Sequence, residues 1–213
     1  MRRCWLGPGR PGGYVPAVDV LLSTASDGRV VAEADLAEDD PGEAIAQARA
    51  GGAALVWAHG GHGLERHGFR PAGAYRRLHA DAVPPGSELP RSTSPDQLFR
   101  LFDDGYRGLW GHKRVLRERV DALAARDDLV HVVLGEIGVC RVEPDDRLID
   151  GPGVVPGARD PANYARLVLG ACAVLGDGPG TLDSWGDAPE VIAAYNALGF
   201  VTVEEVQGYE LEL

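Results

Sequence analysis

Cysteine, methionine, basic runs and long apolar stretches are all scarce in this chain of 213 residues. Cys4, Cys140 and Cys172 are odd in number and far apart, which argues against a disulfide framework and excludes a CxxC metal or redox motif. A reducing cytoplasm is the expected compartment. The longest apolar region, Tyr164 to Leu175, falls short of the roughly 18 to 20 residues that a membrane-spanning helix needs. Met1-Arg2-Arg3 is followed by Cys4-Trp5-Leu6-Gly7-Pro8-Gly9, with no apolar stretch of signal-sequence length. No basic run exceeds Arg76-Arg77, and 32 acidic against 21 basic side chains give a formal charge of −11. That field repels phosphate polymers, so neither nucleic acid nor a membrane is an expected partner.

What is present fits a soluble globular protein of one large or two small domains, 45% hydrophobic and 25% charged. Its 29 glycines and 15 prolines are too few for a low-complexity chain and act as punctuation between short elements. One ending occurs twice. Leu64-Glu65-Arg66-His67-Gly68-Phe69 is echoed by Tyr195-Asn196-Ala197-Leu198-Gly199-Phe200. In each, glycine stands where a helix can stop in the left-handed conformation, and phenylalanine can fold back on the last turn. Between them Ala82 to Pro95 carries four prolines and few apolar residues, which makes 82–95 the expected linker between units 1–81 and 96–213.

The second unit reads in order. Ser94-Pro95-Asp96-Gln97 starts a helix with Leu98, Leu101 and Phe102 on one face. A second amphipathic stretch holds Leu116, Val120 and Leu123. Leu129 to Leu134 and Gly138 to Val142 form a hairpin across Gly135-Glu136-Ile137, and Arg147 to Val155 a third strand interrupted at Gly151-Pro152-Gly153. Asp160-Pro161 caps a helix, and Asp187 with Glu190 caps another. Two strands close the chain, the last being the alternating Tyr209 to Leu213. The first unit is shorter, with a hairpin of Val18 to Ser23 and Arg29 to Ala34, a helix from Pro41 and a strand at Ala53 to Ala58. Lacking the two opening helices, it reads as a scaffold.

The last helix, Val191 to Phe200, resembles the GNAT N-acetyltransferase superfamily, which often runs alanine, three residues, tyrosine, three residues, Gly-Phe; Val191 replaces the alanine. The duplication, with Trp110-Gly111-His112 after an opening helix, looks like the tandem actinobacterial group that includes mycothiol synthase. The resemblance implies a tandem α/β fold, a mixed sheet flanked by helices, with a truncated N-terminal unit. It also implies an N-acyltransferase that uses acetyl-CoA or another acyl-CoA as co-substrate and acts on a small-molecule amine. The second reading is a catalytically silent GNAT-fold binding protein.

Tyr195 holds the position of the superfamily's general acid, which protonates the departing thiolate; by spacing alone it equally completes the Val191, Tyr195, Leu198 stripe. Val154, Val155, Arg159, Ala162 and Asn163 lie where the resemblance puts the pyrophosphate loop. There Asp160 and Tyr164 replace small residues and Pro161 removes a donor, so weak acetyl-CoA affinity is expected, with Arg159 as the main phosphate contact. Trp110 and His112 border the expected acceptor pocket or serve as packing anchors. Asp150 is a candidate base or a turn residue. No metal is expected, because His59, His62 and His67 lie in a glycine-rich loop without nearby cysteines; Gly7, Gly9 and Gly12 fit GxGxxG, but with no preceding strand and with intervening prolines they read as a loop rather than a dinucleotide site.

Overall fold

The computed structural model describes residues 20–36, 40–61 and 63–213. The Gly7, Gly9, Gly12 run, Cys4 and His62 lie outside them. In chain order the elements are β1 (Leu21–Thr24), β2 (Val30–Asp35), α1 (Pro41–Ala50), β3 (Leu55–His59), β4 (Arg70–Ala80), α2 (Pro95–Gly105), α3 (Arg117–Ala124) and β5 (Val130–Leu134). Then follow β6 (Gly138–Glu143), β7 (Leu148–Val154), α4 (Pro161–Leu175), β8 (Gly180–Trp185), α5 (Pro189–Ala197) and β9 (Val201–Glu212). Two of the expected helix starts form as read: Ser94 accepts from Gln97 N and Asp160 from Ala162 N, each followed by proline in the first turn.

Two expectations fail. The segment between α4 and α5 is a strand, β8, and the two closing strands are one, the twelve-residue β9. Asp183 and Ser184 mask the strand pattern of β8, yet both are buried, because Arg77 of β4 and Asp187 supply their partners. Long-range pairing makes these polar residues affordable inside a sheet.

The nine strands form a single mixed sheet in the order β1-β2-β3-β9-β4-β8-β7-β6-β5. Exchanging β1, β2, β3 and β4 with β6, β7, β8 and β9 reverses this order onto itself and leaves β5 as an extra edge strand. Both parallel pairs, β2-β3 and β7-β8, are joined by a crossover helix. The two Gly-Phe endings share their bonding: Gly68 and Gly199 have φ of 87° and 93°, each glycine N–H reaches three residues back, and each phenylalanine N–H reaches five. That is the Schellman geometry expected from the sequence.

Successive residues of a strand face opposite sides, and the core follows that alternation. Val132, Cys140, Val142, Ile149 and Leu182 meet α4 and α5, whereas Val133 and Val139 meet Leu98, Leu101, Phe102 and Val120 of α2 and α3. The 82–95 segment runs from β4 to α2 and is bonded to its neighbours, with Val133 N–H on the Pro90 carbonyl and Ser87 N–H on that of Leu169. No helix among the described residues is long and apolar enough to cross a membrane.

Candidate active site

Strands β7 and β8 are paired only at Leu148↔Thr181, Ile149↔Leu182 and Asp150↔Asp183. Beyond those positions each follows its other neighbour, β7 staying with β6 as far as Val154 and β8 with β4 as far as Trp185. A parallel pair that stops bonding while both strands continue opens a gap in the sheet. The counterpart pair β2-β3 stays in register over five positions to Asp35↔His59.

The chain leaving α2 spans this gap. Tyr106 donates its hydroxyl to the Gly151 carbonyl of β7, and His112 Nε2 lies 3.3 Å from the Trp185 carbonyl of β8. The two rings stack at 4.3 Å with an interplanar angle of 2°. Gly153 makes room, since a Cβ there would lie 2.7 Å from the Tyr106 ring. Burial pushes the His112 imidazole down to about 4, so it is neutral at pH 7. With Nε2–H given to the Trp185 carbonyl, Nδ1 keeps a lone pair. Beneath α2 and α3 a cleft of about 1020 Å³ reaches the gap, lined by Phe99, Phe102, Tyr106, His112, Asp150 and Trp185 among others.

Asp150 is a strand residue rather than a turn residue, and its carboxylate pairs with Arg141 in the cleft wall. Trp110 is not part of that wall. Its indole is buried against Trp57 and His59 and lies over Gly73 and Gly208, which pair across β4 and β9. The structure therefore brings His112 and Asp150 together and sets Trp110 apart as a packing anchor.

At the head of α4 the hydrogen-bond donors are already engaged. Ala162 N–H is held by the Asp160 side chain, Asn163 and Tyr164 N–H by the Asp160 carbonyl, and Pro161 has none. Arg159 turns its guanidinium onto the carbonyls of Val154, Gly105 and Arg107, and the Asn163 amide caps the Ala158 carbonyl. Val154 is buried, Val155 half-buried and Ala162 exposed. The first-turn donors of this helix and the Arg159 guanidinium are thus taken up within the chain.

On the opposite face of β8 stands Tyr195, fully buried, its hydroxyl donating to Asp187 Oδ2 at 3.3 Å. Ser184 donates to the same oxygen at 2.7 Å. Asp187 therefore turns inward and does not cap α5, whose N-cap is Ala188 without a side-chain bond. Burial pushes the Asp187 carboxyl up to about 6, against pulls from Ser184, Tyr195, Arg159 and Arg76. Burial also raises Tyr195 well above the usual phenol range. Sequence reading missed Tyr106, Ser184 and Asp187 as site residues; the glycine bounds of β8 were the available signal for the last two. No group of three or more metal-ligating residues occurs among the described residues.

No protein-family profile and no curated protein matches the sequence. Solved structures do match. A GCN5-related N-acetyltransferase from Sphaerobacter thermophilus shares 16% identity at a TM-score of 0.54, over 92% of this chain and 76% of the other. A putative acetyltransferase from Pyrococcus horikoshii shares 11% at 0.59, over 93% and 70%. Eis1 from Mycobacterium abscessus shares 13% at 0.50, over 92% and 60%. The fold is thus that of the GCN5-related N-acetyltransferases, a mixed sheet flanked by helices.

Proposed function

We propose that this GNAT-fold chain is an acyltransferase that moves an acyl group from a thioester, acetyl-CoA or a longer acyl-CoA, to the amine of a small molecule. The observation that carries this reading is the parting of β7 from β8 beyond Asp150 and Asp183, with the cleft on one side of the sheet and the Tyr195 hydroxyl on the other. Ser184 and Trp185, adjacent on β8, point to these two sides. The thioester would lie in the gap, between strand edges that no longer bond to each other. The amine would approach through the cleft, its body against Phe99, Phe102 and Trp185. Neutral His112 offers Nδ1 to the proton the amine sheds, while Asp150 is committed to Arg141. Tyr195 supplies the proton taken by the leaving sulfur.

The tandem reading, units 1–81 and 96–213 with the first truncated, rests on the reversible strand order and the matched Schellman endings. The closed β2-β3 pair favours a scaffold role for the first unit. A second reading, a silent GNAT-fold binding protein, is favoured by the engaged donors of the α4 head and by Arg159 bonded across to α2.

Calorimetric titration with acetyl-CoA and longer acyl-CoAs, followed by free-thiol release with a panel of amines, separates the two. The enzyme reading expects transfer by the wild-type chain. It also expects Tyr195→Phe to lower kcat by about 10²- to 10⁴-fold with KM nearly unchanged. Thioester binding without transfer to any amine decides for the silent protein.

A further inference from the structure

Asp187 lies just past the end of β8 and is 8% exposed, with one oxygen, Oδ2, meeting both the Ser184 hydroxyl at 2.7 Å and the Tyr195 hydroxyl at 3.3 Å. A phenol has one proton to give. While Asp187 is ionised, that proton is aimed at the carboxylate and the Tyr195 oxygen presents only lone pairs elsewhere. Once Asp187 is protonated the donation reverses, because the carboxyl O–H can give to the phenol oxygen and the phenol proton is released to point into the gap.

Several groups face this carboxyl. Arg159 before α4 and Arg76 of β4 are cations that favour its ionised form. Tyr164 of α4 and Tyr106 behind α2 are phenols raised by burial. Ser184 of β8 and Tyr195 of α5 are its hydrogen-bond donors.

Resting on the acyltransferase reading above, we propose that Asp187 is the positioning residue of Tyr195, deciding by its own proton whether the phenol proton is available to the leaving thiolate. In the transfer step the amine nitrogen bonds to the acyl carbon and the carbon–sulfur bond breaks. The sulfur takes the Tyr195 proton, and the phenol oxygen takes the proton of the Asp187 carboxyl group. Asp187 is left as carboxylate and regains a proton from water, while the proton shed by the amine leaves by way of His112.

Burial holds the Asp187 carboxyl near 6, so its proton is present in mildly acid solution and absent above neutrality. The test compares kcat of variant and wild type at each pH, so that ionisation of the acceptor amine cancels. Wild-type kcat falls on the alkaline side of that value. Asp187→Asn, whose amide donates to the phenol oxygen at every pH, removes this limb, so the variant to wild-type ratio rises by about tenfold per pH unit above it. Ser184→Ala removes a donor that favours the carboxylate, so the limb moves to higher pH, and this variant serves if Asp187→Asn fails to fold. A readout independent of turnover is the carbon NMR titration of the Asp187 carboxyl, which Tyr195→Phe moves upward by deleting a hydrogen bond to the ionised form.

A kcat ratio flat with pH in both variants, or a carboxyl titration unmoved by Tyr195→Phe, overturns the proposal and leaves the acyltransferase reading standing. Absence of transfer by the wild-type chain overturns that reading and takes this one with it.

Discussion

Tyr75 and Val206 face each other across β4 and β9, and each stands seven residues past the left-handed glycine that ends its preceding helical turn. The neighbouring pairs Ala74↔Gln207 and Arg76↔Glu205 step away symmetrically. A local two-fold relation therefore passes through this pair, at the centre of the sheet. Each half of the strand order places its last strand inside the other, β9 beside β3 and β4 beside β8. Both halves are thus tied into one sheet, and the endings that aim β4 and β9 carry much of the topology.

Gly199→Ala tests one such ending. Nothing lies within 4 Å of a Cβ there, so the cost comes from φ of 93° alone. A loss of about 1 kcal/mol is expected by denaturant titration. Gly157→Ala, also in open space but without positive φ, serves as the control and should be neutral within about 0.5 kcal/mol.

Gly208→Ala tests the seat of Trp110. A Cβ at Gly208 would lie 2.0 Å from the indole, and the paired Gly73 would place one at 3.0 Å. The indole has to leave the sheet or the strands have to separate. Unfolding measurements should show a loss of about 1 to 3 kcal/mol or more, together with a red shift of tryptophan emission. A stable variant with unchanged emission would place Trp110 elsewhere.

Acid should weaken the fold through two histidines and strengthen it through one aspartate. Burial pushes His112 and His131 down to about 4 from 6.5, so as pH falls through this window the unfolded chain takes protons that the native one refuses. Stability present above the unfolded value is lost towards pH 4, by at most about 3 kcal/mol for each histidine and by less for the partly exposed His112. Asp187 acts oppositely: its folded value, raised to about 6 from 3.8, means that the native state holds a proton first and gains as pH falls. Two histidines outweigh one carboxyl. Thermal melts should show stability declining from pH 7 to about 4.5, a shallower slope in His131→Gln and a steeper one in Asp187→Asn. A slope unchanged in both variants would remove these groups from the account.

The head of α4 bears on thioester affinity. Asp160 holds Ala162 N–H at 2.7 Å and puts negative charge at the positive end of the helix. Asp160→Gly frees that donor and removes the charge at a capping cost of a few tenths of a kcal/mol. Calorimetry should then show tighter acetyl-CoA binding, by about two- to fivefold from the charge alone. Weaker binding in the variant would place the phosphates away from this helix.

Several features of this molecule were legible in the residues because the forces behind them act within one turn of chain. Ser94-Pro95 and Asp160-Pro161 start helices by satisfying their own first N–H groups. Gly68 and Gly199 stop helical turns because a left-handed residue closes the last carbonyls. The apolar stripe of α4 names the face it buries, and Val191, Tyr195 and Leu198 of the last helical stretch meet the same core, as their spacing predicts. Other features depend on partners distant in sequence. Asp183 and Ser184 look wrong for a buried strand until Arg77 and Asp187 arrive. Asp187 with Glu190 reads as a cap, yet the inward hydroxyls of Ser184 and Tyr195 claim its carboxyl instead. Tyr106 and His112, separated by a glycine-broken turn, become a stacked bridge only because β7 and β8 part and present Gly151 and Trp185 carbonyls to them. Local bonding is settled by neighbours along the chain, but where a buried polar group points is settled by whichever partner the tertiary fold delivers to it.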